Sequence, residues 1–199
     1  AEAEKVDKDL KDADYKVVKV EVKDVKRNPA PPFITSTLQQ EASRKLNFGV
    51  RRTMMVAQQL YEGVDVGSGV TGLITYMRTD SVNLSNVALK QAKEVITEKF
   101  GAEYALAEPR RYKGKKGAQE AHEAIRPTDL SLFPDEAARF LDRDQARLYE
   151  LIWKRTIACQ MAQAILGKTG ANIEAFKSGS TTGYLFRATG QTVKFAGFM

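Results

Sequence analysis

The sequence has a single cysteine, Cys159, so no disulfide can form within the chain. It contains no run of about 20 apolar residues, the length that a membrane-spanning helix needs. Its first residues, Ala-Glu-Ala-Glu-Lys, are polar and unlike a secretory signal. These absences favour a reducing compartment and predict a cytoplasmic protein that does not contact a membrane.

Acidic residues are outnumbered, since 31 Lys and Arg stand against 25 Asp and Glu, for a net charge of +6. A basic balance favours an acidic partner, with nucleic acid the first candidate, although many proteins with such a charge bind no DNA. The 43% of hydrophobic residues are ordinary for a globular chain, and 199 residues suffice for one domain of good size or two small ones.

The order of predicted elements runs from a strand through a mostly helical middle to further strands. Alternation of valines with charged residues over Tyr15 to Val25 predicts a half-buried strand, and three prolines over residues 29–32 then end it. Strand patterns return after Gly167. We therefore expect an α+β chain, in which a mostly helical domain is inserted into a small discontinuous β domain.

Four helices are predicted in the middle of the chain. They are one that Ser36 caps and Gly49 ends, one from Arg51 to Glu62 with Met55, Val56 and Leu60 facing inward, one from a cap at Ser85 to Phe100, and a long stretch opened by Pro134 with Phe140 in its core-facing stripe. Between the second and third helices, the apolar run Leu73–Met77 predicts a short buried strand.

The segment 72–81, Gly-Leu-Ile-Thr-Tyr-Met-Arg-Thr-Asp-Ser, places Tyr76 and Arg78 two residues apart, and on a strand both side chains would share a face. A tyrosine that attacks a phosphodiester forms a phosphotyrosyl ester that stores the energy of the broken bond. The original phosphodiester can therefore be formed again without ATP. Forming the phenolate at pH 7 costs ~4 kcal/mol, which a nearby guanidinium offsets. Without further residues, a packed strand tyrosine is the commoner explanation of such a pair.

Two further segments carry candidate cations. Residues 119–128 contain His122, the only histidine, and Arg126. A lone histidine is usually a surface residue, although a protonated one donates from both nitrogens and so suits a phosphate. A predicted exposed basic loop offers further DNA contacts through Arg110, Arg111, Lys113, Lys115 and Lys116.

Segment 72–81 closely resembles the active-site signature of bacterial type IA DNA topoisomerases, and residues 121–128, Ala-His-Glu-Ala-Ile-Arg-Pro-Thr, resemble a second hallmark of that family. Residues 32–42, 53–63 and 148–155 resemble further parts of the family's tyrosine-bearing domain, so the resemblance covers nearly all of residues 15–199. Met77 distinguishes between branches of the family, because topoisomerase III relatives resemble this pattern with Pro at that position and reverse gyrases more often with Ile.

The resemblance implies roles for these residues. Tyr76 would be the nucleophile that becomes linked to a DNA 5′-phosphate, with Arg78 as its electrostatic partner. His122 would contact the scissile phosphate or its neighbour, with Arg126 as a supporting cation. The parent enzyme would act as a monomer on single-stranded segments of negatively supercoiled DNA, in the bacterial nucleoid. It would relax the DNA by cutting one strand, passing the other and resealing, with Mg²⁺ but without ATP.

The resemblance also implies a division of the chain. Residues 33–165 would form the helical tyrosine-bearing domain of the strand gate, and residues 1–32 and 166–199 the discontinuous β hinge domain. The family's toprim domain, whose acidic cluster binds Mg²⁺, would lie before this region, and a later gate domain after it. No Asp-x-Asp-x-Glu string is present, and one cysteine cannot form a zinc ribbon. We therefore expect no metal ligands here and no activity from this chain alone.

Other functions remain open from the residues themselves. In a non-catalytic DNA-binding module, the first two helices and the basic loop would bind phosphates, and Tyr76 would belong to the core. Tyrosine recombinases need several Arg and His residues around the tyrosine, and relaxases need a histidine cluster for a metal. The single histidine argues against both.

Overall fold

The computed structural model describes residues 2–67, 69–114 and 122–199. Its helices are α1 (Glu2–Leu10), α2 (Thr35–Leu46), α3 (Val50–Glu62), α4 (Asn86–Phe100), α5 (Pro134–Ala137) and α6 (Arg143–Gln160), with a 3₁₀ turn at Ala102–Tyr104. Its strands are β1 (Asp14–Arg27), β2 (Val64–Asp65), β3 (Val70–Thr71), β4 (Ala164–Lys177) and β5 (Ser180–Phe195). The strands pair antiparallel, so the protein is an α+β chain. Within these described ranges, no helix is long and apolar enough to span a membrane.

The chain packs as two compact units. The first, residues 1–27 and 163–197, contains a three-stranded sheet in the order β1-β4-β5. The predicted strand at its start is confirmed as part of β1, but its predicted half-burial is wrong, because every β1 residue except Val25 is exposed. Alternation shows that one face of a strand is apolar, and it does not show whether that face is covered.

The second unit, residues 28–162 and 198–199, contains the main hydrophobic core. Its largest fully buried side chains are Phe33, Leu38, Phe48, Leu60, Ile74, Met77, Ile96, Ile125, Leu130, Leu148, Tyr149 and Ile152. The polar ends of its buried rings are paired. The Tyr149 hydroxyl donates to the Leu132 carbonyl at 2.8 Å, and the Trp153 indole N–H donates to the Leu130 carbonyl at 3.0 Å. These two bonds join α6 to the segment that precedes α5.

The start and end of α2 differ from the prediction. The N-cap is Ile34 and not Ser36, and the Ile34 N–H donates to the Thr37 hydroxyl at 3.0 Å. The helix ends because Asn47 adopts the left-handed conformation, with φ of 59°. Gly49, predicted to end α2, is instead the N-cap of α3. Several consecutive hydroxyl residues offered possible caps, and the sequence pattern alone does not choose among them.

The predicted second and third helices are confirmed as α3 and α4. In α3, Val56 and Leu60 are buried as predicted, whereas Met55 is 55% exposed and does not face inward. The predicted cap of α4 is also confirmed, because the Ser85 hydroxyl accepts a hydrogen bond from the Ala88 N–H at 3.3 Å.

The long helix predicted from Pro134 is interrupted. α5 ends after one turn, and α6 starts after Asp142, whose carboxylate accepts hydrogen bonds from the N–H groups of Asp144 and Gln145, both at 2.8 Å. Phe140, predicted to be in the core, lies in the break and is 41% exposed. The aspartate cap is therefore a stronger local signal than the continuous apolar spacing.

Candidate functional site

Tyr76 lies in an irregular segment and not at the end of a strand, so the strand predicted at residues 73–77 is wrong. Within that run, Ile74 forms only an isolated bridge, to Pro127. Leu73, Ile74 and Met77 are buried in the core, and their burial explains the apolar pattern without a strand ladder. Strand periodicity therefore does not put the side chains of Tyr76 and Arg78 on one face.

The structure places the phenol of Tyr76 at the surface. Tyr76 is 47% exposed, between the buried residues Ile74 and Met77. Its ring meets that of Tyr61 in an edge contact, with centroids 5.3 Å apart and an interplanar angle of 61°. Arg78 is exposed as well. The core therefore holds the backbone of this segment while its phenol and guanidinium face outward.

The first turn of α2 holds the backbone beside Arg78. The Thr35 N–H donates to the Thr79 carbonyl at 2.9 Å, and the Thr79 N–H donates back to the Thr35 hydroxyl at 2.9 Å. The carbonyl of Met77 lies 2.8 Å from the same hydroxyl, within donating distance. Bonds of this kind on both sides of Arg78 restrict the direction in which its side chain leaves the backbone.

Thr75 joins the segment that contains Tyr76 (residues 72–81, the tyrosine segment) to the segment that contains His122 (residues 122–128, the histidine segment). Its hydroxyl donates to the Ala124 carbonyl at 2.7 Å and accepts from the Arg126 N–H at 3.0 Å. Its own N–H donates to the Arg126 carbonyl at 2.9 Å, and the Thr128 N–H donates to the Leu73 carbonyl at 3.0 Å. We call this set of four bonds the Thr75 seam. It brings together two sequence motifs that lie about 50 residues apart.

His122 lies two residues before the Thr75 seam and is exposed. The backbone that follows it is held on its other side, because the Ala124 N–H donates to the Asn83 carbonyl at 2.8 Å and the Ile125 N–H to the Phe33 carbonyl at 2.8 Å. Across the described parts of the chain, neither Arg78 nor His122 makes a hydrogen bond or ion pair. Both side chains are exposed, so an anion can approach them from solvent.

Arg126 differs from these two residues, because its guanidinium is engaged within the protein. It pairs with the Glu123 carboxylate at 2.7 Å and also donates to the Pro127 carbonyl at 2.8 Å, and its side chain is only 13% exposed. Glu123 in turn accepts a hydrogen bond from the N–H of Ser85, the cap of α4, at 2.5 Å. Glu123 therefore ties the histidine segment to the cap of α4, and it balances the charge of Arg126.

Two opposing effects act on the pKa of Glu123. Burial by itself raises the pKa of the carboxyl, and hydrogen bonds from Arg126 and Ser85 outweigh that effect, so the pKa lies below its ordinary value. Glu123 is therefore ionised at neutral pH, and its pair with Arg126 is complete.

The predicted basic loop is only partly a free cationic surface. Arg110 is half-buried, contrary to the prediction of exposure, and it donates to the carbonyls of Cys159 and Met161 at 2.7 and 3.0 Å. A cation at the C-terminus of α6 meets the carbonyls that the helix leaves unpaired. Arg111 and Lys113 are exposed, with Arg111 also donating to the Asn86 side chain at 2.9 Å. The last two predicted members, Lys115 and Lys116, lie outside the described residues.

The sequence reasoning missed the residues that hold the site together. Thr75, Thr35 and Tyr61 contribute through contacts between distant segments, and no local pattern indicates such contacts. The Glu123–Arg126 pair gave no such signal either, because three-residue spacing favours an ion pair only on a helix, and residues 122–126 are not helical.

The side chains of the described residues do not fit a magnesium site. In the part of the chain that the structure describes, no group of three or more His, Cys, Asp or Glu residues could hold a metal ion.

Similar proteins, found both by sequence and by structure, are DNA topoisomerases. A family model described as DNA topoisomerase matches residues 1–199. The DNA topoisomerase 1 of Rickettsia bellii (strain RML369-C) is 50% identical over 198 residues, which cover 99% of this chain and 24% of the relative. The DNA topoisomerase 1 of Rickettsia felis is 51% identical over 190 residues, covering 95% of this chain and 24% of that relative.

A solved structure is also similar. Full-length topoisomerase I from Thermotoga maritima superposes with a TM-score of 0.83 at 42% sequence identity, over 98% of this chain and 31% of that one. The chain thus spans about a quarter of the length of the curated relatives that it matches.

Proposed function

The chain belongs to the DNA topoisomerase family, and on that premise we propose that it carries the nucleophile of a type IA enzyme, Tyr76. The complete enzyme relaxes negatively supercoiled DNA by cutting one strand, passing the other through the break and resealing it. Because the matched relatives are about four times longer, we propose that this chain acts as part of a longer polypeptide that functions as a monomer in the bacterial nucleoid.

The proposed reaction is a transesterification. The phenol of Tyr76 loses its proton, its oxygen bonds to phosphorus, and the bond from phosphorus to the 3′-oxygen breaks. The leaving oxygen takes up a proton and becomes a 3′-hydroxyl, while the 5′-phosphate stays on the tyrosine. Reversal of these steps reseals the strand, so the cycle needs no ATP.

The proposed cations have different roles. Arg78 and His122 meet the charge that develops on the phosphate oxygens, since both are exposed and without an ion pair among the described residues. Arg126 acts as a positioning residue through Glu123. Arg111, Lys113, Lys115 and Lys116 bind the backbone of a single-stranded DNA segment. Arg110 is left out of this surface because its guanidinium is bonded to the end of α6.

The Thr75 seam is the observation that best supports this function. It joins the backbone next to Tyr76 to the backbone two residues from His122, and both groups are exposed. A shared site for one phosphate requires these distant segments to lie side by side. A core tyrosine in a DNA-binding module would require neither the exposure nor the seam.

We propose that the complete enzyme uses Mg²⁺ held by residues outside this chain, since the described residues offer no ligand cluster. No step above depends on the metal. We further propose that residues 33–165 form the gate domain that carries the tyrosine, and that residues 1–32 and 166–199 form the β hinge that lets this domain move.

The decisive experiment is covalent capture with the full-length protein. A single-stranded oligonucleotide labelled at its 3′ end is incubated with Mg²⁺ and denatured, and the labelled protein is counted. We expect an adduct with the wild type and with Tyr15→Phe, a matched control at a tyrosine that is 54% exposed. We expect none with Tyr76→Phe.

An adduct that persists in Tyr76→Phe would contradict the proposal. Binding without any adduct, with a strong dependence on salt, would support the non-catalytic module instead. The 199-residue chain by itself should form a negligible amount of adduct, because precise positioning is worth several orders of magnitude in rate.

A further inference from the structure

Tyr61 contacts the proposed nucleophile without belonging to either sequence motif. It lies in the last turn of α3, and its ring is 40% exposed. The two tyrosine rings meet at 61° with centroids 5.3 Å apart, the edge arrangement that aromatic pairs prefer. The Tyr61 ring therefore lies against the ring of Tyr76 itself and limits the directions in which that ring can turn.

The backbone of the tyrosine segment lies close to the backbone at Tyr61. The Leu73 N–H donates to the Leu60 carbonyl at 2.7 Å, which joins the end of α3 to the start of the tyrosine segment. A side chain at Gly72 would bring its Cβ to 2.6 Å from the Tyr61 carbonyl oxygen, a distance that no Cβ tolerates. Gly72 therefore permits the close approach that places the two rings together.

We propose that Tyr61 is a positioning residue for the cleavage reaction, which orients the phenol of Tyr76 toward the phosphate. The inference rests on the proposed role of Tyr76 as nucleophile. An exposed phenol with no hydrogen bond among the described residues can rotate about two side-chain bonds. Contact with the Tyr61 ring removes part of that freedom before DNA binds, so less of it has to be lost in reaching the transition state.

The role belongs to the ring and not to the hydroxyl of Tyr61, since that hydroxyl makes no hydrogen bond to the described residues. Replacement of Tyr61 by phenylalanine should therefore preserve the cleavage rate, whereas replacement by alanine or leucine should lower it. Leucine is the more informative variant, because it keeps an apolar side chain of substantial size on α3 and removes only the aromatic contact.

The experiment measures single-turnover cleavage of the labelled oligonucleotide by the full-length protein, together with its dissociation constant for the same oligonucleotide. For Tyr61→Leu and Tyr61→Ala we expect the cleavage rate at saturating DNA to fall by about tenfold to a hundredfold, with the dissociation constant unchanged within about twofold. Tyr61→Phe should cleave within about twofold of the wild type. Met55→Ala, a control at another exposed residue of α3, should behave as the wild type.

Each other outcome has a definite meaning. A normal cleavage rate in Tyr61→Leu overturns the inference, and so does a loss confined to DNA affinity, which would make Tyr61 a stacking surface for a base. Failure of Tyr61→Phe to retain the rate overturns it too, because the hydroxyl would then be required. If the wild type itself forms no adduct, or if Tyr76→Phe still forms one, the proposed function fails, and that result is distinct from a failure of the Tyr61 role alone.

Discussion

Replacement of Thr75 by valine tests the Thr75 seam most directly. Valine has nearly the same shape as threonine but lacks the hydroxyl, so the substitution leaves the Ala124 carbonyl and the Arg126 N–H without their partner. Ala124 is fully buried. A buried polar group that loses its partner costs about 1–3 kcal/mol. Because Arg126 is less completely buried than Ala124, we expect a loss of about 2–4 kcal/mol in the free energy of unfolding.

Urea unfolding followed by tryptophan fluorescence suits this measurement. The only tryptophan, Trp153, is buried in the second unit, which contains Thr75, so its signal reports on that unit. Thr75→Ser keeps the hydroxyl and should lose about 1 kcal/mol or less. Thr97→Val is the matched control, because that exposed hydroxyl donates to the Lys93 carbonyl of its own helix and to no other group among the described residues. Its removal should change stability by about 0.5 kcal/mol or less.

The seam should also affect activity in the full-length protein. Under conditions where Thr75→Val remains folded, we expect less covalent adduct, because the tyrosine and histidine segments are no longer fixed to each other. Equal stability of Thr75→Val and Thr97→Val would refute the reasoning, since the hydroxyl would then be contributing no more than an exposed surface group.

Changes at Glu123, Arg110, Lys113 and Cys159 should each have a separate, measurable effect. The pKa of Glu123 is lowered in the folded protein, so its contribution to stability is complete above the ordinary pKa of 4.5 and is lost as the pH falls further. The urea midpoint should therefore decline less steeply below about pH 4.5 in Glu123→Gln than in the wild type. Arg110→Gln should lower the free energy of unfolding by about 1–2 kcal/mol and leave the salt dependence of DNA binding unchanged. Lys113→Ala should instead reduce the slope of log affinity against log salt for single-stranded DNA by about 0.7. Burial raises the pKa of Cys159 to about 12, so its thiol should resist a thiol reagent at about pH 8 in the native protein and react only after unfolding in urea; rapid labelling of the native protein would contradict this.

Local signals account for the elements that were predicted well. α4 has a serine cap and a regular apolar spacing, and both act within a few residues along the chain. The alternating valines of β1 likewise define a strand wherever it lies. These patterns reflect backbone preferences and side-chain periodicity, which the sequence contains directly.

Errors occurred where tertiary contacts outweigh local pattern. The run at residues 73–77 has the composition of a strand, but its neighbours supply single hydrogen bonds and buried pockets instead of a ladder. Arg110 looks like a surface cation in the sequence, yet the end of α6 needs a donor and Arg110 supplies it. In both cases the partner lies about 50 residues away in the chain.

The sequence by itself supplied the chemistry that we propose for this protein, because a phenol, a guanidinium and an imidazole are identified by residue type and by the motifs around them. Only the tertiary structure decided which of the candidate cations are exposed and which are engaged within the protein, and which residues hold the candidate groups in place. The physical reason is that a hydrogen bond such as that from Thr75 to Ala124 depends on how two segments pack together, and packing is a property of the whole folded unit.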